Sequence, residues 1–223
     1  MVTITKILLW LRNALAHYIK DIYRFHKLGK KVGGSCISID ESYFIDDNGK
    51  KIWIIGAKNN ITSKLRLDVY YSRNENDCKI FILNHIKPKN IIITDGWSSY
   101  QFLDDPNFEN EHEVHVHGPS INFGFGSHST SHIEGIWGTI KEYIKKIYNY
   151  IPCKNFIFYL REAEFRYMIH DLNPGEKEKK VIEVFEYLYN SSEFELYNEE
   201  TLIDNDNYDF CLSFWNIKLF NFI

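Results

Sequence analysis

No pair of cysteines in this sequence has the C-x-x-C spacing of a zinc ribbon. Cys36, Cys78, Cys153 and Cys211 are scattered singly along 223 residues. Neither a ribbon nor a disulfide framework is indicated, and a reducing interior is the expected compartment. Long apolar runs are missing too. The start, MVTITKILLWLRNALAHYIKDIY, holds one short apolar run before Arg12. That is too brief for a signal-peptide core or a membrane span, so no membrane association is expected. There is no internal repeat and no low-complexity linker. An excess of positive charge is also absent: the formal net charge is −4, which taken alone speaks against a nucleic-acid partner.

The charge is unevenly spread, however. Glu176 to Asp209 holds 11 acids against three lysines, whereas residues 1–175 carry 22 basic against 19 acidic side chains, a net of +3. A mildly basic body is followed by an acidic stretch. With 44% hydrophobic and 16% aromatic residues the chain can fill a core of one domain, or of one domain with an appendage.

Residues 5–27 have the spacing of an amphipathic helix, with Leu8, Leu11, Leu15, Ile19 and Ile22 on one stripe. Gly33 and Gly34 end it. SCISIDESYF then alternates, placing Ile37 and Ile39 on one face of a strand and Cys36, Ser38 and Asp40 on the other. KIWIIGAKN and KLRLDVYYS are two further strands, the first reached through an NGK turn. ENDCKIFILNHI, residues 75–86, fits a helix. In NIIITDGWSSY the unbroken run Ile91, Ile92, Ile93 marks a strand buried on both faces, the habit of parallel pairs, and Asp95 closes it. EHEVHVHG predicts a short strand. Helices are expected around Glu134, over 155–170 and over 176–190, and the aromatic end, DNYDFCLSFWNIKLFNFI, has no assignable pattern.

Three antiparallel strands, a helix, a buried strand, a short strand and a helix are the order of an RNase H-like α/β fold: a mixed sheet flanked by helices, here with helical N- and C-terminal extensions. In that order the first and fourth strands lie side by side and parallel. Asp40 and Asp95 then face one another at the carboxyl ends of neighbouring strands, where open α/β sheets bind ligands.

In SHIEGIWGTIK, Glu134, Trp137 and Lys141 fall on neighbouring rows of one helix side. Ile133, Ile136, Ile140, Ile144 and Ile147 form the buried stripe, with Glu134 at its border. Asp40, Asp95 and Glu134 thus come from three elements as candidate catalytic carboxylates and metal ligands. Hard oxygen donors of this kind hold Mg2+ or Mn2+, and a pair of such ions supports phosphodiester cleavage. Lys141 and Lys145 lie about 10 Å or more along the axis, too far to ligate but placed to meet a DNA phosphate. Taken singly each acid has a blander reading: turn chemistry for Asp40, a helix N-cap for Asp95, a solvated charge for Glu134.

The combination GGSCISIDESYF, IITDGWSSY, HSTSHIEGIWGTIK and YLREAEFRY resembles the Merlin family of DDE transposases and its bacterial insertion-sequence relatives. The matching features are the double glycine before a strand ending Asp-Glu-Ser, then Asp95 with Trp97 and Tyr100. They continue with Glu134, Trp137 and Lys141, and with Tyr159, Leu160, Glu162 and Arg166. The resemblance runs from about residue 5 to 170. It implies an RNase H-like catalytic domain over 35–172 and a helical remnant of a DNA-binding region at 1–34, and it leaves an acidic then aromatic extension at 173–223 without a counterpart. It implies cut-and-paste DNA transposition, with Asp40, Asp95 and Glu134 holding two Mg2+ or Mn2+ ions. Lys141, Lys145, Trp97 and His132 are the expected DNA contacts. Double-stranded DNA is the implied partner, with a second copy of the chain as a possible one. The setting would be the nucleus in a eukaryote, or the cytoplasm and nucleoid in a bacterium. Besides the acidic tail, three departures stand against the family pattern. Only the last helix of the usual N-terminal zinc ribbon and helix-turn-helix is recognisable, Ser131 stands where an asparagine is usual, and IDDNGKK replaces a basic patch. An N-terminally truncated copy is therefore expected, and a catalytically inactive or domesticated remnant acting as a DNA- or protein-binding module is the alternative.

Five histidines, at 112, 115, 117, 128 and 132, cluster near the third acid. His115 and His117 share a strand face and with His128 or His132 offer a zinc site. Lining of the acid site or contact with DNA is the competing role.

Overall fold

The structure is a computed structural model that describes the backbone of residues 4–46, 49–70, 72–115, 126–147 and 156–190. The chain runs α1 (Ile4–Phe25), β1 (Cys36–Ile45), β2 (Lys51–Asn59), β3 (Leu65–Tyr70), α2 (Glu75–His85) and β4 (Ile91–Thr94). A 3₁₀ helix (Ser98–Asp104), β5 (Glu111–Val114), α3 (Ser131–Ile147), α4 (Phe156–Met168) and α5 (Pro174–Asn190) follow. The described residues divide into two compact units, Tyr23–Glu142 and the described parts of Met1–Ile22 with Tyr143–Ile223.

The first unit is built on one five-stranded sheet in the order β3-β2-β1-β4-β5. β2 is antiparallel to both its neighbours, while β1, β4 and β5 run parallel. This is the RNase H-like order expected from the sequence. Alternation along β1 sends Ile37 and Ile39 to one face, where they meet Ile55 and Ala57 of β2 and Ile92 of β4. Cys78, Phe81 and Ile82 of α2 close over them together with Tyr100 and Leu103. Each such side chain removed from water contributes about 1.5–3 kcal/mol before entropy is counted. β4 is buried at Ile92, Ile93 and Thr94, as a strand flanked by parallel partners and covered on both faces must be.

The entries to β1 and β4 are tied together. The side chain of Asn90, fully buried, accepts from the Ser35 N–H at 3.0 Å and donates to the carbonyls of Lys87 and Pro88. Gly33 sits at φ +86°, and a Cβ there would lie 2.1 Å from the Lys89 carbonyl oxygen. Only glycine fits that close approach.

Within the second unit Glu162 of α4 gathers three donors: Arg12 at 2.6 Å, Tyr143 at 3.2 Å and Arg166 at 2.9 Å. Arg161 and Glu164, both fully buried, pair at 2.8 Å. α5 begins on Pro174 behind a reciprocal cap. Asn173 accepts from the Glu176 N–H, and Glu176 accepts from the Asn173 N–H, each at 3.0 Å.

Several boundaries differ from the sequence reading. β5 ends at Val114, α4 stops at Met168, and the 3₁₀ helix was not expected. Its hydrogen bonds follow a three-residue spacing too short to leave a periodic stripe. The aromatic stretch 206–223 and His117 lie outside the described residues. Among those described, no helix is long and apolar enough to cross a membrane.

Candidate active site

The parallel pairing of β1 with β4 joins Cys36 to Ile91, Ile37 to Ile92 and Ser38 to Ile93. Carried two residues past the last pair, the same register sets Asp40 level with Asp95. Asp40 is pinned on both oxygens. Oδ1 accepts from the Glu41 N–H at 2.8 Å and Oδ2 from the indole N–H of Trp137 at 2.9 Å. Burial pushes its carboxyl up to about 6. The two hydrogen bonds pull the other way, while the negative charges of Asp95 and Glu134 add to the rise. Asp95 and Glu134 are therefore each within electrostatic reach of Asp40.

Trp137 gets to Asp40 because of a glycine. Gly56 is the cross-strand partner of Asp40, and a Cβ there would lie 2.7 Å from the indole and 2.9 Å from Leu67. The bare backbone lets the ring lie against the sheet. Ile133, Ile136 and Ile140 are buried beside it. The approach to α3 is held from β1 and the turn after β2. Ser38 donates to the Ser129 carbonyl at 2.6 Å, and Asn60 donates to the Ser127 carbonyl at 2.5 Å.

Asp95 follows β4 directly, and its Oδ1 accepts from the Trp97 N–H at 3.0 Å. It shapes a turn rather than capping a helix; the 3₁₀ helix that follows is entered through Trp97. Glu134 is half-buried on the first turn of α3. Trp97 is exposed, Lys141 and Lys145 are exposed further along α3, and His132 donates through Nε2 to the Gly126 carbonyl at 2.8 Å.

Sequence reasoning passed over a fourth acid. Glu41 points to the opposite sheet face from Asp40, as alternation requires. There it accepts from the Tyr100 hydroxyl and lies 3.7 Å from Arg73. Burial pushes its carboxyl up to about 7, the Tyr100 hydrogen bond opposes this, and the charges of Asp40 and Asp95 reinforce it. The signal available in the sequence was the Asp-Glu dipeptide itself. Among the described histidines, His115 and His128 share Glu113 while His112 and His132 have other partners. His112 bridges Thr94 at 2.9 Å and Asp104 at 2.7 Å, and His115 lies 3.8 Å from Glu113. His128 stands between Cys36 at 3.3 Å and Glu113 at 2.8 Å.

Among the described residues, no three His, Cys, Asp or Glu side chains are gathered tightly enough to hold a metal ion. The donor chemistry nonetheless suits a hard divalent cation. Asp40, Asp95 and Glu134 offer carboxylate oxygens, and the negative charges that bear on Asp40 are what such an ion relieves.

The ISXO2-like transposase domain matches residues 30–168 of the chain. The chain belongs to that transposase family. A transposase-like protein of Haemophilus influenzae is 31% identical over 86 residues, which are 39% of this chain and 66% of the relative. The catalytic core of HTLV-2 integrase, solved with magnesium, superposes with a TM-score of 0.41 at 14% identity, covering 68% of this chain and 95% of that one. A simian T-cell lymphotropic virus intasome solved with the PP2A regulatory subunit B56 gamma gives 0.44 at 16% identity, over 66% of this chain and 52% of that one. The matched transposase domain contains Asp40, Asp95, Glu134 and Trp137, together with the sheet that carries the first two.

Proposed function

We propose that this transposase domain cleaves DNA and transfers the cut strand, with Asp40, Asp95 and Glu134 as the metal-holding carboxylates. The parallel register of β1 with β4 carries the reading: continued two residues past its last pair, it sets Asp40 of β1 level with Asp95, the residue that follows β4. The charge of Glu134 reaching Asp40 supports it. The motif order is that of the Merlin-type branch. Mg2+ or Mn2+, in one or two ions, is the cofactor; when bound it supplies a Lewis acid that makes water nucleophilic at neutral pH and stabilises the leaving oxygen. The residues do the rest. Trp137 and the Glu41 amide hold the Asp40 carboxylate in one orientation. Lys141 and Lys145 offer charge to the phosphates of the bound duplex. Double-stranded DNA is the substrate, and a second copy of the chain is the expected companion where two ends must be cut.

The test is cleavage of labelled duplex DNA in Mg2+ or Mn2+ by the parent and by Asp40→Asn, Asp95→Asn and Glu134→Gln. Each amide keeps the shape and removes the charge. The parent should nick the duplex, and each variant should lose at least about a hundredfold in rate, the scale on which removing a charge-stabilising group is felt. Cleavage by Glu134→Gln at the parent rate removes that residue from the mechanism.

A further inference from the structure

On the Glu41 face of the sheet, opposite Asp40, cations and aromatic rings alternate in a row that reaches Trp97, whose backbone N–H donates to Asp95. The Lys141 ammonium stands over the Tyr43 ring at 5.8 Å. Tyr43 packs on Trp53, its cross-strand partner, at 5.3 Å between ring centres. Lys51 stands over both, at 4.4 and 5.7 Å. Arg73 then lies over Trp53 at 4.7 Å and over Trp97 at 4.0 Å. The row starts on the helix that carries Glu134 and ends two residues after Asp95. Its middle is anchored from below, because Glu41 holds Arg73 at 3.7 Å.

Two features set the row apart from ordinary surface packing. Tyr43 and Trp97 are each 39% exposed, so aromatic area on both sides of the row is left to water. Three cations line it, in a chain whose net charge is negative. A base offers a flat π-face to such rings and a phosphate offers charge to such cations. In an intact duplex the base faces are already stacked on one another, so an outward-facing ring finds a partner only where bases are unpaired.

We infer that the row Lys141, Tyr43, Lys51, Trp53, Arg73 and Trp97 binds unpaired nucleotides of the DNA strand where it leaves the acid site past Asp95. This rests on the reading of Asp40, Asp95 and Glu134 as a DNA-cleaving site, and it adds a substrate preference to it: DNA that is frayed or forked there is held more tightly than blunt duplex. The aromatic members supply stacking that tolerates any sequence. The cations supply the salt-dependent part. Arg73, clamped between two indoles, is already ordered, so little rotamer entropy is lost on binding.

The experiment measures binding of the full chain, with Ca2+ in place of Mg2+ so that the strand stays whole. The probes are a blunt random-sequence duplex and a forked duplex with the same number of phosphates. The parent should bind the fork more tightly. Replacing Tyr43 and Trp97 together by leucine should weaken fork binding by about tenfold or more, on the scale of losing one or two stacked bases, while blunt-duplex binding changes by no more than about twofold. Tyr43→Phe and Trp97→Phe, which keep a π-face, should retain most of the preference. Lys51→Gln should weaken both probes alike and flatten the salt dependence. Equal losses on fork and blunt duplex, or no loss on the fork, overturn the proposal.

Thermal melting checks that the leucine variant folds. Should it not fold, photocrosslinking of the parent to a fork carrying 5-iodouracil at the first unpaired position decides: adducts at Tyr43, Trp53 or Trp97 support the row, and adducts elsewhere overturn it. Asp40→Asn is assayed in parallel. If it still cleaves in Mg2+, the reading of the acid site fails. If it is dead and the parent shows no fork preference, the row alone fails.

Discussion

The indole N–H of Trp137 donates to Asp40 Oδ2 at 2.9 Å, across 97 positions of sequence. A side chain of α3 thus fixes the orientation of a carboxylate on β1. Trp137→Phe keeps a ring against Gly56 and removes the donor. One of the two hydrogen bonds that hold the Asp40 carboxyl down is then lost, and its carboxyl should rise further. Calorimetric titration with Mn2+ should show affinity reduced about tenfold, the scale of a lost charge-assisted hydrogen bond. Unchanged affinity with an unchanged melting temperature would show that the bond does not position the carboxylate.

Gly56→Ala tests the same contact from the sheet side. The new methyl meets the indole at 2.7 Å and Leu67 at 2.9 Å, in a strand with no slack. Overpacking of this kind costs about 1–3 kcal/mol, to be read in a urea titration. The variant should also lose cleavage, because the ring that reaches Asp40 is the one displaced. A variant as stable as the parent would mean that α3 shifts at no cost.

Acidity gives a third expectation. Asp40 and Glu41 are raised by burial to about 6 and about 7, from ordinary values near 4. Between the ordinary and the raised values the folded chain keeps protons that the unfolded chain has released. The stability of the metal-free protein should therefore fall as pH rises from about 4 to about 7, and level off above that. Melting temperatures in EDTA across this range check the sign, and Asp40→Asn should shallow the fall. Mg2+ affinity should move oppositely, rising through the same window as the carboxylates become charged. A melting temperature that climbs steadily from pH 4 to 7, in a variant series where Asp40→Asn changes nothing, would contradict the assignment.

The buried pair in α4 makes a prediction about stability alone. Arg161 and Glu164 are wholly inside and 2.8 Å apart. Arg161→Met leaves a carboxylate in a place that water does not reach, which should cost about 3–5 kcal/mol. Adding Glu164→Leu should recover part of that loss, since the buried carboxylate is then removed. A denaturant series on the single and double variants measures both; a double variant no better than the single would show that the pair is worth more than its burial costs.

What the sequence by itself determined is what travels along the chain. The alternation of Ile37 and Ile39 against Ser38 and Asp40 specifies which side of β1 meets α2, while the burial of Ser38 on the other side is not legible from it. The unbroken Ile91–Ile93 run specifies a strand covered on both faces, and so a parallel neighbour. The isoleucine stripe of α3 specifies its buried side, with Ile133, Ile136, Ile140 and Ile144 all inside. These are consequences of two periods, 2.0 and 3.6, and they need no partner to be read. Only the tertiary structure decided who stands opposite whom. Gly56 becomes meaningful when the register lays it beside Asp40, and the same register pairs Tyr43 with Trp53. Nothing in residues 50–60 announces a tryptophan arriving from α3, and nothing around Arg73 announces the two indoles that flank it. Glu41 looked like an echo of Asp40, yet the pleat turned it to the other face and into contact with Tyr100. Cross-strand and strand-to-helix neighbours are set by register and packing between segments far apart in the chain, and no local spacing encodes them.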